Sequence, residues 1–197
     1  MTGPGETPAA PEMEPRDGPR VYVASLSDYN AGVLHGAWLN ADQPVEDLED
    51  GINTMLAASP TTRRYGDRAE EWAIHDHEGF GPDIALGEYE SLERVSRLAR
   101  GLIEHGDAFG AWISIQDDQD QTSEDFTDHF AGEHASLTDW GTELLDELGF
   151  DPSELPGVPE SLRPYVQVDV EAWTRDMVCG GDIDTVGSKA GVYVFWP

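Results

Sequence analysis

From residue 20 onward the apolar positions switch between a two-residue and a three-to-four-residue period, and the switches outline the elements. RVYVASLSDYN, residues 20–30, is rich in β-branched and aromatic side chains and predicts a strand; GVLHGAW, residues 32–38, predicts a second after a short turn. Within residues 44–58, Val45, Leu48, Ile52, Met55 and Leu56 fall at helical spacing, and Glu46, Asp47, Glu49 and Asp50 occupy much of the remainder. Asp42 is placed to cap this helix, Pro44 fits its first turn, and Glu46 suits the positive end of its dipole. EWAIH, within AEEWAIHDHEGFG at residues 69–81, predicts a third strand with Trp72 and Ile74 as core anchors. Residues 20–83 thus read as a small sheet packed on a helix.

The period changes after Glu88. Tyr89, Leu92, Val95, Leu98, Leu102 and Ile103 recur at three and four, with Gly106 as a C-terminal stop. A short apolar run, AFGAWISIQ at 108–116, follows, and residues 117–149 hold one or two helices. The better marked is LTDWGTELLDELG, where Leu137, Trp140, Leu144 and Leu148 make the buried stripe. FDPSELPGVPESLRP, residues 150–164, is a proline-rich connection. YVQVDVEAWTRDMVCGG reads as strand-like or mixed, CGGDIDTVGSKAG as a turn, and AGVYVFWP as a closing strand. Residues 1–19 lack periodicity and read as a disordered tail. The fold class is α+β, with no internal repeat.

Composition narrows the partners. The 197 residues carry 40 Asp plus Glu against 11 Lys plus Arg, a formal net charge of -29 at pH 7. With 39% hydrophobic residues and six each of Trp, Tyr and Phe, the chain has the apolar material for a core that acidic disordered chains lack. The single cysteine, Cys179, excludes an internal disulfide and fits a reducing cytoplasm. The first twenty residues have neither the basic nor the apolar region of a secretory signal, and no apolar run reaches membrane-spanning length, so a cytoplasmic protein is expected. Nucleic acid and anionic membranes would repel such a chain; basic surfaces would attract it. Proteins carry basic surfaces chiefly where they hold nucleic acid, so the expected partner is a nucleic-acid-binding protein and not nucleic acid itself.

The charge is also organised. Between Arg100 and Arg163 there is no Lys or Arg, and the interval holds sixteen acids, among them Asp117, Asp118, Asp120, Glu124, Asp125, Asp128, Asp139, Glu143, Asp146 and Glu147. Bases cluster elsewhere, at Arg63, Arg64 and Arg68 and at Arg94, Arg97 and Arg100. Carboxylates three or four apart on a helix repel by about 0.7 kcal/mol per pair in water before screening. Dozens of such pairs oppose folding, so the array points to a use. A folded surface with carboxylates at the line density of DNA phosphates could occupy a basic groove, which reads charge and position. The other reading of the same composition is an acidic structural protein adapted to high salt.

Motifs for chemistry are weak. An EF-hand loop begun at Asp118 has Ser123 at the glycine position and His129 at the glutamate position; one begun at Asp182 fails at Val186 and Tyr193. His75 and His77 would share a face if WAIHDH were extended, which leaves a metal-dependent or acid/base enzyme built on residues His75 to Glu78 as an alternative. No nucleophile elbow, phosphate loop or HExxH occurs, and no cofactor is implied.

Five collinear blocks carry a family resemblance: VYVASLSDYNAGVLHGAWLNA (21–41), EEWAIHDHEGF (70–80), FTDHFAGEHASLTDWGTELLDELG (126–149), VPESLRPYVQVDVEAWTRDM (158–177) and GVYVFW (191–196). In this order they resemble the ArdA antirestriction family; the tail at 1–19 lies outside the pattern, and YVQVDVEAW is longer than the usual link. The resemblance implies a non-enzymatic DNA mimic that occupies the DNA-binding groove of Type I restriction-modification enzymes, carried by mobile elements. It further implies an elongated homodimer whose subunit has three small units, here 20–83, a helical 84–125 and an α+β 126–197. The acids expected at the partner surface are Glu46, Asp47, Glu49 and Asp50 with the ten named above.

Overall fold

Strand β1 (Arg20–Ser25) is the centre of the first sheet, because its alternate positions Val21 and Val23 are fully buried. The computed structural model of the chain describes residues 18–116, 121–151 and 155–197, which divide at Gly79/Phe80 into two compact units. Each unit has its own three-stranded antiparallel sheet, and the class is α+β as the pattern predicts.

In the first unit β1 is flanked by β2 (Gly36–Asn40) and β3 (Trp72–Glu78), both antiparallel to it. The expected first strand ends five residues early. Ser25 caps a short helix α1 (Leu26–Asn30), and Gly32, at φ 75°, turns the chain so that β2 starts at Gly36 and not at residue 32. Helix α2 (Val45–Ala57) buries Leu48, Ile52, Met55 and Leu56, as its spacing predicts, while Val45 is half-buried. Its N-cap is Pro44 and not Asp42: no side chain caps it, and the Pro44 carbonyl accepts the Asp47 and Leu48 N–H groups. Helix α3 (Pro60–Tyr65) follows, capped by Ser59. Of the expected tail, residues 1–17 lie outside the described residues; Pro19 is buried and its carbonyl accepts the Ala41 N–H at 2.8 Å.

The second unit holds α4 (Leu92–His105), α5 (Asp107–Ser114), α6 (Ser123–His129), β4 (Phe130–His134), α7 (Leu137–Glu147), α8 (Val170–Gly180), β5 (Asp184–Gly187) and β6 (Val192–Phe195). Its sheet runs β4-β6-β5. Trp140, Ile183 and Val194 form its core, with Leu137 and Leu144 of α7 and Met177 of α8 packed against them. Beside this core, Phe109, Trp112, Phe126, Phe130 and Phe195 interlock with ring centroids 4.9–6.3 Å apart and join α5 and α6 to the sheet.

Expectations for three side chains change here, and two segments gain a definite assignment. Tyr89 precedes the Ser91 cap of α4 and is exposed, and Ile103 is exposed because α5 folds back over Gly101 and Leu102 instead. Leu148 follows the last residue of α7 and is 69% exposed, so of the expected stripe Trp140 alone is buried, with Leu137 and Leu144 half-buried beside it. AFGAWIS is a helix. Ala108 to Trp112 are all buried, which removes the amphipathic signal, and Gly106 breaks it from α4. The segment read as strand-like or mixed after the proline-rich connection resolves into a helix, α8, which the Asp169 carboxylate caps by accepting the Ala172 N–H at 3.0 Å.

Candidate functional site

Helix α2 separates its side chains cleanly. Its apolar stripe faces the first sheet, and Glu46, Asp47, Glu49 and Asp50 are all exposed on its first half. No base lies between Arg20 and Arg63 in sequence, and none of these four carboxylates has an ion pair with a described residue. Glu46 and Asp47 also sit in the first turn, where the helix dipole favours negative charge, so local electrostatics supports the array it has to tolerate.

The acids of the second unit are less uniform. Glu124 and Asp128 on α6 and Asp146 and Glu147 on α7 are exposed and unpaired among the described residues. Asp139 is exposed but accepts the Ser136 hydroxyl at 2.7 Å, and Glu143 lies 3.1 Å from His134 Nδ1. Asp125 is half-buried and closes a capping box: its carboxylate accepts the Thr122 N–H at 2.8 Å and hydroxyl at 2.6 Å. Those bonds from Thr122, with the charge of His129, hold its carboxyl below the usual carboxylate range. Asp125 therefore serves the fold first. The signal was present in the T-x-x-D and S-x-x-D spacings at 122–125 and 136–139. Asp117, Asp118 and Asp120 lie outside the described residues.

The His75 to Glu78 cluster does not converge. The β1–β3 register pairs Val23 with Ile74, Tyr22 with Asp76 and Val21 with His77, so His75 is the extra residue of a bulge. The bulge moves His77 to the face of Val21 and Val23, away from the side it would share with His75 in a regular strand. His75 instead lies edge-on to Tyr29 at 4.9 Å, and the Glu78 carboxylate accepts two bonds from the Arg20 guanidinium. Of the expected strand anchors, Ile74 is buried and Trp72 only half-buried, with Ala73 taking the second core position. Among the described residues no group of three or more His, Cys, Asp or Glu is arranged to hold a metal ion.

Exposed carboxylates on the helices of each unit are the setting for the comparison with known families. A family model, that of the antirestriction protein (ArdA), matches residues 21–190. The chain belongs to the ArdA antirestriction family. No curated protein matches it. Its function as an ArdA member is antirestriction, which this non-enzymatic family directs at restriction-modification enzymes, and the match spans both units with all but the last seven residues of the second. No helix among the described residues is long and apolar enough to cross a membrane.

Proposed function

We propose that this ArdA-family protein blocks restriction by presenting carboxylates in place of phosphates, and so competes with DNA for the groove of a Type I restriction-modification enzyme. The observation that carries the reading is the charge density of α2. Its four exposed acids lie within five residues, Glu46 to Asp50, and are uncompensated among the described residues. At 1.5 Å rise per residue that is one charge per about 1.5–2 Å of axis, against about 1.7 Å for duplex DNA. From Asp139 to Glu147, α7 carries one per about 3 Å, near the 3.4 Å of a single strand. A groove that binds DNA through Lys and Arg would find the same charges at the same intervals. The homodimer and the division of the second unit near residue 125 belong to the same proposal.

Displacement of a labelled duplex from a Type I methyltransferase core tests it. Exposed ion pairs contribute about 0.2–1 kcal/mol each, so single neutralisations should weaken inhibition no more than about fivefold. The quadruple variant E46Q/D47N/E49Q/D50N should weaken it about thirtyfold. Inhibition should persist in chelator and in the H75A/H77A variant. Failure of the wild-type protein to displace DNA at low salt would refute the reading.

A further inference from the structure

Tyr89 is 75% exposed, and among the described residues its ring meets no other ring and its hydroxyl has no hydrogen-bond partner. Its position is nevertheless fixed. The Glu90 N–H donates to the Gly87 carbonyl at 3.3 Å and closes a turn with Glu88 and Tyr89 at its tip. The half-buried Glu90 carboxylate accepts the Gly87 N–H at 3.4 Å and the Arg94 guanidinium at 2.7 Å. Ser91 caps α4 by accepting the Arg94 N–H at 3.2 Å, so the turn is tied to the first turn of a helix of 14 residues.

The surroundings of this ring are acidic throughout. Residues 83–93 hold Asp83, Glu88, Glu90 and Glu93 and no base, and the next base, Arg94, is taken up by Glu90. Asp83, Glu88 and Glu93 are exposed and form no ion pair with a described residue. Other exposed tyrosines differ: Tyr29 leans on His75, Tyr65 lies under the Arg64 guanidinium, and Tyr165 stands two residues from Arg163. An exposed aromatic is ordinary in itself. One that is held in place with an unmet hydroxyl among uncompensated carboxylates has the make-up of an interface anchor, for which tyrosine is a favoured type.

We infer that Tyr89 enters the base-binding pocket of the methyltransferase and stands in for the target base, with Asp83, Glu88 and Glu93 in place of the phosphates beside it. This placement rests on the DNA-mimic reading for the partner, and chemistry selects the pocket. A methyltransferase takes its target base out of the stack, holds it between aromatic or apolar side chains and reads its polar edge. A phenol offers a flat face to stack and a hydroxyl that both donates and accepts. Duplex DNA loses stacking and pairing to present a base there, whereas Tyr89 lies outside any stack before the partner arrives, on a turn that is already ordered. The mimic thus gains on DNA at the point where the duplex has to be distorted.

Full-length Y89A, Y89F and Y165A, with E46Q/D47N/E49Q/D50N as a separate arm, test the inference by displacement of a labelled duplex from the methyltransferase core, with thermal melting as a check on folding. Y89A should inhibit about thirtyfold more weakly at an unchanged melting temperature. Y89F, which keeps the ring, should stay within about fivefold of wild type. Y165A removes a tyrosine that is more exposed still, at 81%, and should stay within about twofold. A Y89A variant that inhibits as well as wild type overturns the inference. So does a loss in Y165A equal to that in Y89A, since exposed aromatic area anywhere would then serve. Photolysis of the complex carrying Tyr89→p-benzoylphenylalanine should attach it to the methyltransferase subunit in its base pocket; attachment only to the specificity subunit, or to a second copy of the inhibitor, overturns the inference. If Y89A weakens inhibition while the α2 variant does not, the phosphate-mimic reading falls and the pocket contact stands. Weakening in the α2 variant alone leaves that reading in place and removes the role of Tyr89.

Discussion

Asp28 is the one carboxylate in the described chain that is fully buried, and it shows what an acid does here when it serves the fold. Its Oδ1 accepts the Thr61 N–H at 2.9 Å, tying α1 to the start of α3. Burial alone would raise its pKa, but hydrogen bonds from Ser25, Ser59 and Thr61 outweigh that and lower it from 3.8 to about 2. A carboxyl lowered on folding stabilises the native state above its unfolded pKa, and that contribution, about 2 kcal/mol, is lost as pH falls through the window from about 4 to 2. Asp28→Asn should cost about 1–3 kcal/mol at pH 7 and flatten the acid limb of stability, as urea unfolding between pH 2 and 7 would measure. An unchanged acid limb would place that dependence elsewhere. Sequence separates Asp28 from its neighbours only weakly: Ser25 and Asp28 have capping spacing, but the burial comes from α3, more than thirty residues later. The bulge at His75 was invisible for a related reason, since strand parity is read from one chain segment and a bulge belongs to a pair of them.

At the scale of elements, helices with one wet face were legible and helices buried all round were not. α2 and α4 announce themselves through their spacing and α7 through its first two turns, while α5 hides because its apolar run has no polar side. α8 was lost to the alternation in YVQVDV that precedes its Asp169 cap. Packing between α7 and α8 depends on a residue that periodicity ignores. Gly141 is buried on α7, and a Cβ there would run into the side chains of Thr174 and Val170 on α8. Gly141→Ala should therefore destabilise by about 1–3 kcal/mol despite the better helix propensity of alanine. Gly110→Ala is the control, because its Cβ would meet only Leu102 Cδ2 at 3.5 Å, an ordinary contact, so it should be neutral or stabilising by up to about 1 kcal/mol. Denaturant midpoints of the two variants decide it: equal shifts would mean that the α7–α8 approach is not tight.

For the molecule as a whole, net charge was fully legible and the availability of each carboxylate only in part: the Thr122 and Ser136 partners of Asp125 and Asp139 stand at capping spacing, whereas folding brings His134 to Glu143. The whole-molecule charge has two consequences of opposite sign. Self-repulsion at -29 opposes the compact state, so raising NaCl from 0.05 to 0.5 M, which shortens the Debye length from about 14 Å to about 4 Å, should stabilise the protein by about 1 kcal/mol and raise its melting temperature by several degrees. The same screening weakens contacts between carboxylates and a basic groove, so inhibition should fall over the same range, and its salt slope should be shallower in E46Q/D47N/E49Q/D50N because fewer ionic contacts remain to be screened. Melting and duplex displacement followed along one salt series separate the two readings of the composition. A protein made acidic only for concentrated salt gains stability along the series and has no inhibition to lose, whereas a phosphate mimic gains stability while it releases its partner. Inhibition that holds constant to 0.5 M salt would mean that buried contacts, and not the carboxylate array, carry the affinity.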